Sequence, residues 1–120
     1  MLIVNREQAR VLHTPHNSEI RPLMDRTTSN IERCSLAEEL LPPGAAIGRH
    51  YHLETEELYY ILDGAGEMSV GAETQAVGGG DCILIPRGEI HTLRNTGNRT
   101  MRLLLVCGPA YSLADHHEAK

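Results

Sequence analysis

The chain has 120 residues, of which 41% are hydrophobic, so it is long enough to bury one core and too short for two domains. Its 11 basic and 16 acidic residues give a formal net charge of -5, without a stripe of lysine or arginine that could neutralise phosphates. Four tyrosines are the whole aromatic content, so stacking surfaces for bases or sugars are scarce. Nucleic acid is therefore not expected as a partner, and the core is expected to be aliphatic.

No secretion signal is expected from the N-terminal residues. The apolar residues 1–4 are followed at once by polar residues 5–7, a run much shorter than the hydrophobic region of a signal peptide. The longest apolar run, residues 103–107, is far below the roughly 18 residues of a membrane helix. We expect a soluble, cytoplasmic protein without a membrane partner. Its three cysteines are scattered and odd in number, so we expect reduced, packed thiols.

The first 41 residues contain two segments of different character. Residues 1–30 are expected to form one or two short strands that pair at the edge of the fold. Residues 35–41 begin with a Ser-x-x-Glu capping box from Ser35 to Glu38, continue with good helix formers and are followed by Pro42. Local propensity alone therefore favours a helix over residues 35–41.

Short apolar runs alternate with turn residues from residue 44 onward, which is typical of an all-β sandwich or barrel. The expected strands are residues 57–62, 67–70, 74–77, 82–85, 91–95 and 100–107. The Asp63-Gly64 turn is expected to join the first two strands as a hairpin, and residues 96–99 to join the last two. Because no connection holds the helix of about ten residues that parallel strands need, the strands are expected to be antiparallel and to form a jelly roll.

Two stretches of fixed spacing carry residues that suggest a metal site. The first is Gly44-x5-His50-x-His52-x4-Glu57-x6-Gly64, and the second is Gly80-x5-Pro86-x-Gly88-x2-His91-x3-Asn95. On these residues the chain resembles the cupin superfamily, in particular its small single-domain members. The resemblance implies an all-β jelly-roll barrel of antiparallel strands. It also implies a strand just before the first motif, so we predict a strand over residues 31–41 in place of the helix.

The resemblance also implies the domain organisation and the assembly. Residues 1–120 are expected to form one cupin domain, with edge strands in 1–30, the conserved barrel in 31–107 and a C-terminal tail in 108–120, of which residues 112–120 are polar. The run at 103–106 is apolar on both faces of its strand, so the outer face needs a cover. The resemblance implies that a homodimer supplies it. The alternative cover is the N-terminal segment of the same chain.

Strand geometry places His50 and His52 on the same face, because side chains alternate along a strand. These two imidazoles can therefore reach one ion. Glu57 lies an odd number of residues beyond His52, so the chain has to turn through residues 53–56 before its carboxylate can join them. The resemblance assigns His50, His52, Glu57 and His91 as the metal ligands.

Three imidazoles and one carboxylate suggest a centre for one divalent transition metal ion per chain. If the coordination is octahedral, about two positions stay open for water, O₂ or substrate oxygens. These donors suit Mn, Fe, Ni, Co or Zn, whereas a structural zinc site would be closed and rich in cysteine. Glu56 is the alternative carboxylate, although only Glu57 leaves six residues before Gly64.

Several other polar residues have weaker assignments. Tyr59 shares the face of Glu57, where it is a candidate for binding substrate or donating a proton; the alternative is a tyrosine that fills the barrel. Asn95 is expected to hydrogen-bond to a neighbouring turn. Arg49 and Arg87 are expected to be solvated. The remaining histidines are expected in a surface loop and in the tail, without a function: His13, His16, His116 and His117.

Two classes of function remain open. In the first, a metal-dependent enzyme, similar to the small cupins that are dioxygenases, isomerases or lyases, acts on a small oxygenated molecule. In the second, a metal-dependent module binds or senses a small-molecule ligand without turnover. A general acid or base beside the metal favours chemistry, whereas a wholly aliphatic lining favours O₂ activation or plain binding.

Overall fold

The computed structural model describes residues 1–120 and contains eleven β-strands and one short 3-10 helix, Leu113–Asp115. The strands are β1 (Leu12–His13), β2 (Glu19–Met24), β3 (Ser35–Leu41), β4 (His50–Tyr51), β5 (Glu56–Asp63), β6 (Ala65–Val70), β7 (Glu73–Gly78), β8 (Cys82–Ile85), β9 (His91–Asn95), β10 (Met101–Gly108) and β11 (His117–Glu118). The six strands predicted after residue 57 are confirmed to within two residues at each end. No helix has the length and apolar character needed to cross a membrane.

The strands form two antiparallel sheets with the core between them. The six-stranded sheet has the order β1-β2-β3-β10-β5-β8, and the five-stranded sheet has the order β11-β4-β9-β6-β7. Side chains alternate along β5, where Glu57, Tyr59 and Ile61 are buried and their neighbours are exposed. This architecture confirms the all-β jelly roll that the strand pattern and the motifs predicted.

The two predicted hairpins are wrong, because each connection passes from one sheet to the other. β5 pairs with β10 and β8, whereas β6 pairs with β7 and β9. β9 and β10 also lie in different sheets. At the first corner Gly64 has a φ of 106°, and a Cβ there would lie 3.0 Å from the Met101 backbone. A corner therefore uses the same turn residues as a hairpin, and the local sequence does not distinguish them.

The strand predicted over residues 31–41 is confirmed for residues 35–41, which form β3 against the local helical preference, whereas residues 31–34 precede the strand. β3 pairs along its whole length with β10 and on its other side with β2. The capping-box residues serve other contacts: Ser35 Oγ accepts a hydrogen bond from Tyr111 N–H, and the Glu38 carboxylate accepts from Arg6 and Arg102. Hydrogen bonds to two neighbouring strands outweigh helix propensities of less than about 1 kcal/mol per residue.

The core is aliphatic apart from one tyrosine. Its buried residues are Leu41, Ile47, Tyr59, Ile61, Met68, Ile85, Leu93, Met101 and Leu103. Asn95 links the sheets beside this core, since its amide donates to the carbonyl oxygens of Leu41 on β3 at 2.8 Å and of Arg99 at 2.9 Å. Its Oδ1 accepts from Gly97 N–H at 2.9 Å. The predicted hydrogen bond from Asn95 to a turn is therefore confirmed.

Both ends of the chain pair with the sheets. β1 and β2 lie at one edge of the six-stranded sheet, as expected for residues 1–30. The expectation of a polar tail is wrong for the last nine residues. They contain the 3-10 helix and β11, and β11 pairs with β4.

Candidate metal centre

The four predicted ligands converge between the two sheets. One ligand atom from each of His50, His52, Glu57 and His91 lies within 4.8 Å of the others, and all four residues are buried. Glu57 comes from the six-stranded sheet, whereas His50 on β4 and His91 on β9 are cross-strand partners in the other sheet. His52 follows β4 and is buried like His50, as strand alternation predicts. The cluster is of the size and composition that hold one metal ion.

The chain turns between His52 and Glu57, which brings the carboxylate back to the imidazoles. Glu57 Oε1 lies 3.4 Å from His52 Nε2 and 3.2 Å from His91 Nε2. Glu57 is 5% exposed, whereas the alternative carboxylate, Glu56, is an exposed residue. The geometry therefore favours Glu57.

The three imidazoles present the same nitrogen to the site. Each Nδ1 lies against a backbone carbonyl oxygen: His50 against Gly48 at 2.7 Å, His52 against Asp115 at 2.9 Å and His91 against Glu89 at 3.1 Å. A carbonyl oxygen only accepts, so each Nδ1 carries a hydrogen, and a neutral ring then keeps its lone pair on Nε2. Histidines that bind metals are commonly oriented by such a hydrogen bond on the second nitrogen.

Two atoms of the cluster show that the residues fit a metal ion. Glu57 Oε1 and His91 Nε2 are fully buried and make no hydrogen bond. A buried polar atom without a partner costs about 1–3 kcal/mol, so folded proteins rarely leave two of them together. Both are acceptors with a free lone pair, and a divalent cation would satisfy both at once.

Burial and neighbouring charges set the protonation states. Burial raises the pKa of Glu57, but the adjacent imidazoles of His52 and His91 outweigh it and lower this pKa to about 2. Burial, followed by the neighbouring imidazole of His91, lowers the pKa of His50 to about 4. An ionised carboxylate and a neutral imidazole at neutral pH are the states that bind a metal ion.

Cys107 supports Glu57 from the neighbouring strand β10. Its thiol donates to Glu57 Oε2 at 3.4 Å, and the two residues are cross-strand partners. Burial and the charge of Glu57 raise the pKa of Cys107, so the thiol stays protonated. This contact leaves Oε1 free to bind an ion. The expectation of packed thiols holds for Cys107 but is wrong for Cys34 and Cys82, which are exposed.

Tyr59 lies beside the cluster, on the inward face that the sequence predicts. It is 2% exposed, and its ring stands edge-on to His91 with the centroids 5.7 Å apart. Burial, followed by the charge of Glu57, raises the pKa of Tyr59 well above its usual value. The phenol is therefore protonated at neutral pH and is a hydrogen-bond donor.

The C-terminal residues also contribute to the site, although the sequence analysis assigned them no function. The His116 ring is stacked on His50, with 4.4 Å between the centroids and 6° between the planes. Its Nδ1 lies 3.2 Å from the Tyr111 hydroxyl. The tail sequence Asp115-His116-His117 was the available signal, because histidine and aspartate are metal-binding residue types.

Four other polar residues named from the sequence are not members of the ligand cluster: His13, His16, Arg49 and Arg87. His13, Arg49 and Arg87 are exposed, as expected, and Arg49 donates to the carbonyl oxygen of Lys120 at 3.1 Å. His16 lies in the loop between β1 and β2, as expected, and its Nε2 lies 3.1 Å from the buried carboxylate of Glu39.

The chain is a β-barrel protein of two antiparallel sheets, with three imidazoles and a carboxylate placed between them where they could hold one metal ion. The chain belongs to the cupin family, because the family model described as the Cupin domain matches residues 37–107. This match covers both motifs completely, together with most of β3 and β10.

Relatives and solved structures extend the similarity. The protein MJ1618 of Methanocaldococcus jannaschii is 37% identical over 102 residues, which cover 85% of this chain and 82% of the relative. An oxalate-binding protein of Thermotoga maritima is 32% identical over 88 residues, 73% of each chain. The structure of the polyketide cyclase RemF from Streptomyces resistomycificus has a TM-score of 0.80 at 25% identity, covering 100% of this chain and 86% of that one.

Proposed function

We propose that this chain is a metal-dependent enzyme, of the dioxygenase, isomerase or lyase class, that acts on a small oxygenated molecule. Its ligands for one divalent transition metal ion are His50, His52, Glu57 and His91. The proposal depends above all on the two buried ligand atoms without hydrogen-bond partners, Glu57 Oε1 and His91 Nε2. A bound ion with open positions acts as a Lewis acid toward the oxygen atoms of a ligand.

The surrounding side chains support chemistry at this centre. Tyr59 presents a protonated phenol beside His91, from which it can donate a hydrogen bond or a proton to a ligand oxygen. Tyr111 and His116 form a hydrogen-bonded pair on the side of His50 and His52. The aliphatic core residues behind the cluster exclude water, which strengthens each polar contact.

The relatives support a substrate rich in oxygen atoms. One is named for binding oxalate, a small dicarboxylate, and a structural neighbour is a cyclase for polyketides, whose chains carry repeated carbonyl groups. The first name also supports the second candidate function, a metal-dependent module that binds a small acid without converting it.

The wild-type protein and a Tyr59→Phe variant together distinguish an enzyme from a binding module. Metal-loaded protein is mixed with small hydroxy, keto and dicarboxylic acids, and both ligand binding and conversion are followed. For an enzyme we expect conversion to fall by about 100-fold in the variant, because a positioned proton donor contributes about 10²- to 10⁴-fold. Binding should change much less.

The matched control is Tyr60→Phe, because Tyr60 is 39% exposed on the outer face of the same strand. It should convert the substrate at the wild-type rate. Binding without conversion in the wild-type protein would support the binding module. Conversion that persists after a chelator has removed the metal would contradict both candidates.

We also propose a homodimer formed through the outer face of the six-stranded sheet. Leu58, Tyr60, Leu62 and Leu84 on this face are 37%, 39%, 38% and 58% exposed. The N-terminal segment covers only part of the face, where Arg6 bonds to Glu38. Contiguous apolar surface of this kind marks a protein interface more often than solvated surface.

Light scattering tests the dimer. The wild-type protein is expected at twice the chain mass of 13.3 kDa at micromolar concentration. Leu84→Glu places a charge at the most exposed position of the face, so this variant is expected to be monomeric. Leu12→Glu on edge strand β1, 42% exposed, is the matched control and should remain dimeric. A wild-type mass equal to that of one chain contradicts the proposal.

A further inference from the structure

The last residues of the chain contact β4 and the turn that follows it, the segment that carries His50 and His52. Residues 113–119, here called the C-terminal clip, comprise the 3-10 helix and β11. β11 pairs with β4, and Ala119 N–H donates to the carbonyl oxygen of Arg49 at 3.0 Å. The clip therefore adds an edge strand beside His50, and the stacked ring of His116 lies on the His50 imidazole.

The carboxylate of Asp115 binds the turn between His52 and Glu57. It accepts hydrogen bonds from three consecutive backbone N–H groups: Leu53 at 2.8 Å, Glu54 at 3.1 Å and Thr55 at 3.2 Å. Three N–H groups that point to one carboxylate require a defined backbone conformation. This conformation reverses the chain, so that Glu57 Oε1 comes within 3.4 Å of His52 Nε2.

The backbone of the same residue orients an imidazole. The Asp115 carbonyl oxygen accepts the hydrogen bond from His52 Nδ1 at 2.9 Å, which leaves Nε2 as the nitrogen with the lone pair. One residue, 63 positions away in the sequence, thus holds both the ring of His52 and the turn that follows it. None of its atoms belongs to the ligand cluster.

We propose that Asp115 is a positioning residue for the metal centre, which it preorganises by fixing the His52 imidazole and the turn that returns Glu57. This inference rests on the proposed metal binding at the cluster. The C-terminal clip is docked when the ligands have the metal-binding conformation. Docking of the clip and binding of the metal are therefore coupled, and by linkage each strengthens the other by the same factor.

The test compares Asp115→Ala with Asp81→Ala. Asp81 also accepts a backbone hydrogen bond, from Gly78 N–H at 2.7 Å, but it lies in the corner before β8 and away from the cluster. We expect Asp115→Ala to bind Co²⁺ about 10- to 100-fold more weakly than wild type, the usual cost of losing a group that orients a ligand. Asp115→Asn, which keeps one acceptor oxygen, should recover part of this loss. Asp81→Ala should bind Co²⁺ like wild type.

Two further measurements separate positioning from general destabilisation. The visible absorption of bound Co²⁺ should change in Asp115→Ala, because the ligand geometry changes, and should not change in Asp81→Ala. Hydrogen exchange at Ala119 N–H should slow when Co²⁺ binds to the wild-type protein, and this protection should be lost in Asp115→Ala.

The outcomes also distinguish the inference from the proposed function. A wild-type protein that does not bind Co²⁺ overturns both. A wild-type protein that binds Co²⁺, with unchanged affinity and spectrum in Asp115→Ala, overturns only the role of Asp115. Equal losses of affinity in Asp115→Ala and Asp81→Ala also overturn it, because the effect would then be one of stability alone.

Discussion

Replacing Glu57 by glutamine is expected to abolish metal retention. The substitution keeps the size and shape of the side chain but removes the only charged donor among the four. Even residues that merely orient a ligand contribute about 10- to 100-fold to metal affinity, so the loss of a ligand should cost at least about 100-fold. Competition with a chelating dye measures the affinity. Elemental analysis of protein purified without a tag or chelator should show about one equivalent for wild type.

Glu56→Gln is the matched control, because it makes the same chemical change at the adjacent exposed position. Its metal affinity should stay within about twofold of wild type, as for exposed substitutions that cost less than about 0.5 kcal/mol. If Glu56→Gln loses the metal and Glu57→Gln retains it, the carboxylate is misassigned. A wild-type content below about a tenth of an equivalent would overturn the metal centre itself.

Replacing Asn95 by alanine is expected to lower the free energy of unfolding by about 3 kcal/mol. The side chain is 2% exposed and bonds to the backbone of β3 and of the corner between β9 and β10. Alanine leaves these groups without partners, and each buried unsatisfied group costs about 1–3 kcal/mol. This is a large part of the roughly 5–15 kcal/mol that stabilises a domain. Urea unfolding of the metal-free protein measures it.

Asn98→Ala in the same corner is the matched control, because Asn98 is exposed. Its unfolding free energy should differ from wild type by less than about 0.5 kcal/mol. A loss below about 1 kcal/mol in Asn95→Ala would show that its hydrogen bonds do not hold the sheets together.

Much of the fold was predictable from local patterns. Alternation along β5 places Glu57, Tyr59 and Ile61 inward, and the burial of these residues follows it. The positions of the turn residues predicted the ends of the strands from β5 to β10 to within two residues. The four residues of the cluster were also predicted from the sequence, because the spacing of His50 and His52 places two imidazoles on one face and the resemblance to cupins adds Glu57 and His91.

Sheet pairing was not predictable in the same way. The Asp63-Gly64 turn suits a hairpin, yet β5 and β6 lie in opposite sheets. Residues 35–41 favour a helix locally, yet they form a strand because β2 and β10 hydrogen-bond to them on both sides. Each outcome depends on partners distant in the sequence, which local propensity does not contain.

The sequence by itself determined the ligand types, the spacing and the inward faces, because the period of a strand is a local property of the backbone. Only the tertiary structure decided which distant residues support those ligands. Asp115 and Cys107 lie more than about forty positions from the ligands they contact, at His52 and Glu57. These contacts are long-range, so the residues that the sequence predicts as a polar tail lie against His50 and His52 in the fold.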